Sequence, residues 1–190
     1  MSDLTLANRI WPQAGSSNLV RNIVLAVAGS LLVAAAAHIS IPTLPVPITL
    51  QTLAVLAIGA ALGARLGASA LALYAVEGAA GLPVFSPTAD GYPGIMGPTG
   101  GYVIGFILAA GLVGWLVERG WDRSFPKLLI AMLAGAAILY IPGLAWLSSF
   151  IGMAKAIEFG FLPFYAGDIV KACIATLGLP AIWSILGRKA

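Results

Sequence analysis

Leu128-Leu129-Ile130-Ala131-Met132-Leu133-Ala134-Gly135-Ala136-Ala137-Ile138-Leu139 is an apolar run with no polar side chain in it. A strand of a membrane barrel would alternate polar and apolar residues between lumen and lipid. No such alternation exists here. A run that is apolar on every side suits a helix surrounded by lipid or by other apolar helices. Its flanks extend it to residues 126–147, with Pro142 inside as a predicted kink. About 20 mostly apolar residues suffice to cross the hydrocarbon core of a bilayer.

Similar segments occupy most of the chain. They are predicted at residues 19–40, 48–64, 68–80, 99–117 and 162–186. The third of these is short for a full crossing. Between the first two, Pro42, Pro45 and Pro47 cannot continue a helix and predict a stiff loop. A Gly/Pro loop follows at 81–98. Composition agrees with this reading. Of 190 residues, 60% are hydrophobic and 9% are charged, with a mean hydropathy of +0.99. A soluble domain carries about 25% charged residues, because its surface faces water. The expectation is an all-α membrane protein with about six transmembrane helices and a short third helix. Residues 1–18 form a polar cytoplasmic N-terminal segment, and residues 19–187 form one six-helix domain. The first apolar run is long enough to span, which points to retention rather than to a cleaved signal.

Basic residues orient the bundle. With the N-terminus inside, Arg9, Arg21, Arg65, Arg119, Arg123, Lys127, Arg188 and Lys189 all fall on the cytoplasmic side. Only Lys155 falls in an outer loop, and Lys171 lies within the sixth segment. This asymmetry predicts both termini inside and requires the short third segment to cross. The loops at 41–47 and 81–98 then face outward, as does the start of the last helix.

Asp168 and Lys171 are spaced i, i+3 and share a helix face near that outer end. Ionisable groups at such depth usually line a cavity. They could also be a self-neutralising pair, with Lys171 snorkelling outward. As a site, they offer an acceptor beside a cationic donor, suited to a ligand with N–H groups and a carbonyl or carboxylate. Gln51 and Thr52, in the first turn of the second helix, either cap it or face a cavity. Tyr92 and Tyr102 either cover a ligand ring or anchor the interface. Asp90 is a loop carboxylate whose bland reading is simple solvation. Glu77 is an intramembrane carboxylate that could bind a proton or a ligand, or reach the interface. Gly97, Gly101 and Gly105 recur every four residues, which favours close helix approach over anion binding at a helix N-terminus. Ala26, Ser30 and Ala34 form another small-residue row, read first as internal packing and second as a partner contact.

Several classes lack their signatures. There is no P-loop pattern, no Ser/His/Asp set and no metal-ligand spacing. The single Cys173 and single His38 exclude an internal disulfide and a His cluster. The charge of +3 gives no reason to expect nucleic acid.

Four blocks, taken together and in order, resemble the BioY family, the biotin-binding S components of energy-coupling factor (ECF) transporters. They are Pro45-Val46-Pro47-Ile48-Thr49-Leu50-Gln51-Thr52-Leu53, Gly81-Leu82-Pro83-Val84-Phe85, Gly97-Pro98-Thr99-Gly100-Gly101-Tyr102, and Pro163-Phe164 through Gly167-Asp168 to Lys171. The resemblance implies a non-enzymatic protein of a prokaryotic cytoplasmic membrane, with six helices, an outward-opening biotin site and no cofactor. It implies partnership with a transmembrane coupling subunit and ATPase subunits. It assigns biotin contact to Asp168 and Lys171, while Gln51, Tyr102, Asp90 and Tyr92 are further ligand candidates on their own chemistry. It assigns coupling-subunit contact to Ala26, Ser30 and Ala34. Glu77, and the glycine-poor loop at 86–96, depart from the family pattern. The competing expectations are a solitary vitamin transporter and a small intramembrane enzyme. The first would want an internal repeat for alternating access, and the second a cytoplasm-facing carboxylate or histidine cluster. Neither is visible.

Overall fold

A computed structural model describes residues 5–11, 18–41, 43–87 and 95–185. The chain is a helical membrane protein. A short helix α1 (Leu6–Ile10) begins at Thr5, whose Oγ1 accepts from Asn8 N at 3.4 Å. Leu6 and Ala7 are buried and α1 packs on α3 (Gln51–Leu62). Part of the N-terminal segment expected to be merely polar is therefore bundle core.

Helix α2 (Asn18–His38) has 21 residues, enough at about 1.5 Å per residue to cross the hydrocarbon core. One face, including Gly29, Val33 and Ala37, is buried. Leu19, Val20, Ile23, Leu31 and others on the opposite face are exposed, as expected of side chains solvated by lipid. Two short strands follow, β1 (Ser40–Ile41) and β2 (Ile48–Thr49), paired antiparallel with Ser40 opposite Thr49. This ribbon closes the proline loop, inside which Thr43 Oγ1 donates to Val46 O at 2.6 Å. It delivers Thr49 and Gln51 to one end of the bundle.

Helix α3 has 12 residues, and α4 (Ala64–Ala79) has 16. The second segment, not the third, is the short one. The ribbon takes up the start of the expected 48–64 helix, and Gly63, at φ +84°, ends it. Glu118 Oε1 then accepts from Ala64 N at 2.8 Å, capping α4 from across the bundle. Helix α5 (Gly100–Val117) is central, packed against α3, α4, α6 (Phe125–Ile138) and α7 (Tyr140–Ile151). A Cβ on Gly105 would lie 2.5 Å from Leu139 O, and one on Gly101 would lie 2.3 Å from Pro142 O. Only glycine permits this approach.

Residues Phe125–Ile151 form one apolar stretch of 27 residues, broken at Leu139. Pro142 has no N–H for the carbonyl four residues earlier, which accounts for a break there. Helix α8 (Met153–Gly160) was not anticipated from the sequence. It meets α9 (Tyr165–Ile185) at a bend of 48°. Among the described residues, three helical stretches can cross a membrane by length and composition, and a fourth can if α8 and α9 act as one bent span. α3 is apolar but shorter.

Candidate ligand-binding site

The N-terminal ends of α3, α5 and α9 meet around a cavity, with Tyr140 of α7 and the 84–86 segment completing its wall. Its atom-free space, open mouth included, is about 640 Å³.

Asp168 and Lys171 line it together, both buried. Lys171 Nζ donates to Asp168 Oδ1 at 2.9 Å. The other carboxylate oxygen, Oδ2, accepts from Tyr140 Oη. Each oxygen of Asp168 thus accepts one bond, which holds the carboxylate to a second helix and leaves it further lone pairs. The ammonium of Lys171 retains donors for a ligand.

Gln51 is also buried at the cavity wall. Its Oε1 accepts from Thr49 Oγ1 at 3.0 Å, and its Nε2 donates to Tyr74 Oη at 2.7 Å. Tyr74 Oη in turn donates to Val84 O at 3.2 Å, tying the 84–86 segment to α4. Thr49 Oγ1 also accepts from Gln51 N at 3.1 Å. The Gln51 amide is therefore oriented by neighbours on two elements.

Tyr102 lines the cavity and donates to Gly160 O at 2.8 Å. A Cβ on Gly160 would sit 2.5 Å from that hydroxyl oxygen, so glycine is what lets the bond form. The rings of Tyr102 and Tyr140 meet edge-to-face at 6.2 Å, and Tyr140 meets Phe161 at 4.9 Å. Phe85, Phe106 and Phe164 add apolar wall. Ser86 Oγ is buried, lines the cavity and has no hydrogen-bond partner among the described residues. An orphaned hydroxyl in a ligand cavity is a natural contact for a polar ligand atom.

The structure thus gathers Asp168, Lys171, Gln51 and Tyr102 at one cavity. Asp90 and Tyr92 lie outside the described residues. Sequence reasoning missed Tyr140, Ser86 and the supporting role of Tyr74. The available signal for Tyr140 was a lone hydroxyl in an otherwise apolar stretch.

Ala26, Ser30 and Ala34 are buried, on the helix α2 that packs against α4. This burial suits the row's first reading, internal packing; coupling-subunit contact is what the family resemblance implies for the same residues. Ser30 Oγ donates to Glu77 Oε2, which gives the unexpected intramembrane carboxylate a buried partner. The Gly97–Gly105 row serves packing too, since Trp146 Nε1 donates to Gly97 O at 3.0 Å and Gly100 N donates to the same carbonyl at 3.1 Å. Among the described residues, no three His, Cys, Asp or Glu side chains converge as metal ligands.

Comparison with known proteins bears on this arrangement. The chain is 40% identical over 146 residues to a probable biotin transporter BioY of Pyrococcus horikoshii, covering 77% of this chain and 86% of the relative. It is 40% identical over 159 residues to the biotin transporter BioY of Thermotoga maritima, covering 83% and 93%. The crystal structure of the S component for biotin from an ECF-type ABC transporter has a similar fold. Its TM-score is 0.75 at 24% identity, over 90% of this chain and 95% of that one. The family model for BioY matches residues 7–188, nearly the whole length, and the chain belongs to the BioY family.

Proposed function

We propose that this protein captures biotin from outside the cell and serves as the S component of an ECF-type transporter. ATP hydrolysis would come from partner subunits. The observation that carries the reading is the buried Asp168–Lys171 pair, clamped by Tyr140 inside an aromatic cavity. Biotin presents ureido N–H donors, a ureido carbonyl, a compact apolar bicycle and a carboxylate. Lys171 donates to a ligand oxygen, Asp168 and Ser86 Oγ supply acceptor capacity, and the aromatic rings cover the bicycle.

The cavity lies at the N-terminal ends of α3, α5 and α9, which the basic residues orient outward. In this reading α3 and α4 are short crossings and the bundle is one six-crossing unit with both termini inside. The coupling subunit and ATPases are the partners, and the protein binds and delivers biotin without transforming it. The test is equilibrium dialysis of labelled biotin against the detergent-purified chain. Saturable binding at one biotin per chain is expected. Absence of saturable binding by folded protein would overturn the reading.

A further inference from the structure

We propose that a cleft at the opposite end of the bundle binds the phosphate of an anionic phospholipid. This cleft lies between α1, α2 and α4 and shares no residue with the biotin cavity. Arg21, Arg65, Asn8 and Ser69 are among its walls. Arg21 is only 2% exposed. Its guanidinium donates to Trp11 O at 2.6 Å, to Asn8 Oδ1 at 2.7 Å and to Asn22 Oδ1 at 3.0 Å. All three acceptors are neutral oxygens. A guanidinium has five N–H donors, so two are left without an acceptor among the described residues. Arg21 has no carboxylate within ion-pair distance among the described residues. A buried cation without an anion is costly unless a ligand supplies one.

Arg65 brings a second cation, exposed on the wall of the same cleft and without an ion pair among the described residues. The carboxylate lining the cleft, Glu118, has Oε1 committed to the start of α4 at 2.8 Å from Ala64 N. Two guanidinium groups therefore face one carboxylate that is already engaged. A phosphodiester, with two non-bridging oxygens, suits such donors.

The surroundings favour a lipid over a free anion. Trp11 and Trp115 are partly exposed at this end of the bundle, and Arg119 sits 3.5 Å from the centre of the Trp115 ring. Trp and basic residues of this kind mark the headgroup level. Ile23, Leu62 and Leu66 give the cleft an apolar flank. Leu62 also lines an apolar groove between α2, α3 and α9, where an acyl chain can lie. Basic pockets between transmembrane helices at this level hold anionic headgroups.

Native mass spectrometry of the full chain, titrated with phosphatidylglycerol or phosphatidylcholine, tests this. Phosphatidylglycerol should be retained in preference. Arg65→Gln should lower that retention on the order of fivefold while leaving thermal unfolding and biotin binding unchanged. Because Arg21 also ties α1 to α2, Arg65 is the cleaner variant. Equal retention of the two lipids, or retention unaffected by Arg65→Gln, overturns the proposal. Displacement of phosphatidylglycerol by an equal concentration of inorganic phosphate also overturns it, since the cleft would then be a soluble-anion site.

Discussion

Asp168 spends one oxygen on Lys171, three residues on, and the other on Tyr140, from a different helix. The first contact was legible in the sequence because i, i+3 spacing is a local property of a helix. The second was not, because it depends on α7 meeting α9, which no local pattern encodes. Gln51 shows the same division. Its place at the start of a helix was legible, while its partner Tyr74 lies on α4, 23 residues further along the chain. Tyr140→Phe removes only the hydroxyl and leaves the ring in place. Hydrogen bonds to charged groups are worth about 1.5–3 kcal/mol, so this variant should lose stability or biotin affinity of that order. Thermal unfolding with and without biotin would apportion the loss. Ser86→Ala removes an orphaned hydroxyl instead. It should leave unliganded stability unchanged or slightly raised, and weaken biotin binding by about 0.5–1.5 kcal/mol.

Helix limits were read well where composition changes sharply and poorly where tertiary contacts decide them. The fourth predicted segment, 99–117, matches α5 (Gly100–Val117) to within a residue. The second does not, because residues 48–49 pair with the strand after α2. Helix α8 has only eight residues, too few for a periodic pattern to stand out, and Gly152 at φ +81° separates it from α7. The small-residue rows were legible as rows, and the structure supplies their neighbours. Gly105→Val would drive side-chain atoms into the Leu139 carbonyl, only 2.5 Å from an added Cβ. A loss of about 1–3 kcal/mol is expected from such overpacking, read as a lower unfolding temperature in detergent. Ser30 is fully buried and bonded to Glu77. Ser30→Trp should therefore separate α2 from α4 and lower stability and biotin binding together. A stable variant that binds biotin but fails in coupled uptake would instead mark the row as a docking face.

The molecule as a whole gathers its polar groups at two ends of an apolar bundle. Composition alone points to a membrane, and charge asymmetry predicts a direction in it. An engineered cysteine at Thr43, with Cys173 replaced, should react with an impermeant reagent from outside the cell, while one at Arg123 should not. Reaction at Arg123 would invert the bundle and turn the cavity proposed for biotin inward. The site can be tested without disturbing that architecture. Removing one charge strands the other, which costs about 3–5 kcal/mol for a buried pair and confuses folding with binding. Asp168→Asn combined with Lys171→Met removes both charges and keeps much of the volume. Isothermal titration of this double variant with biotin is the most direct measurement. If the pair holds the ligand, the folded variant loses about 2 kcal/mol or more of binding free energy. Near-normal affinity would show that the pair only braces the helices and that biotin is held elsewhere.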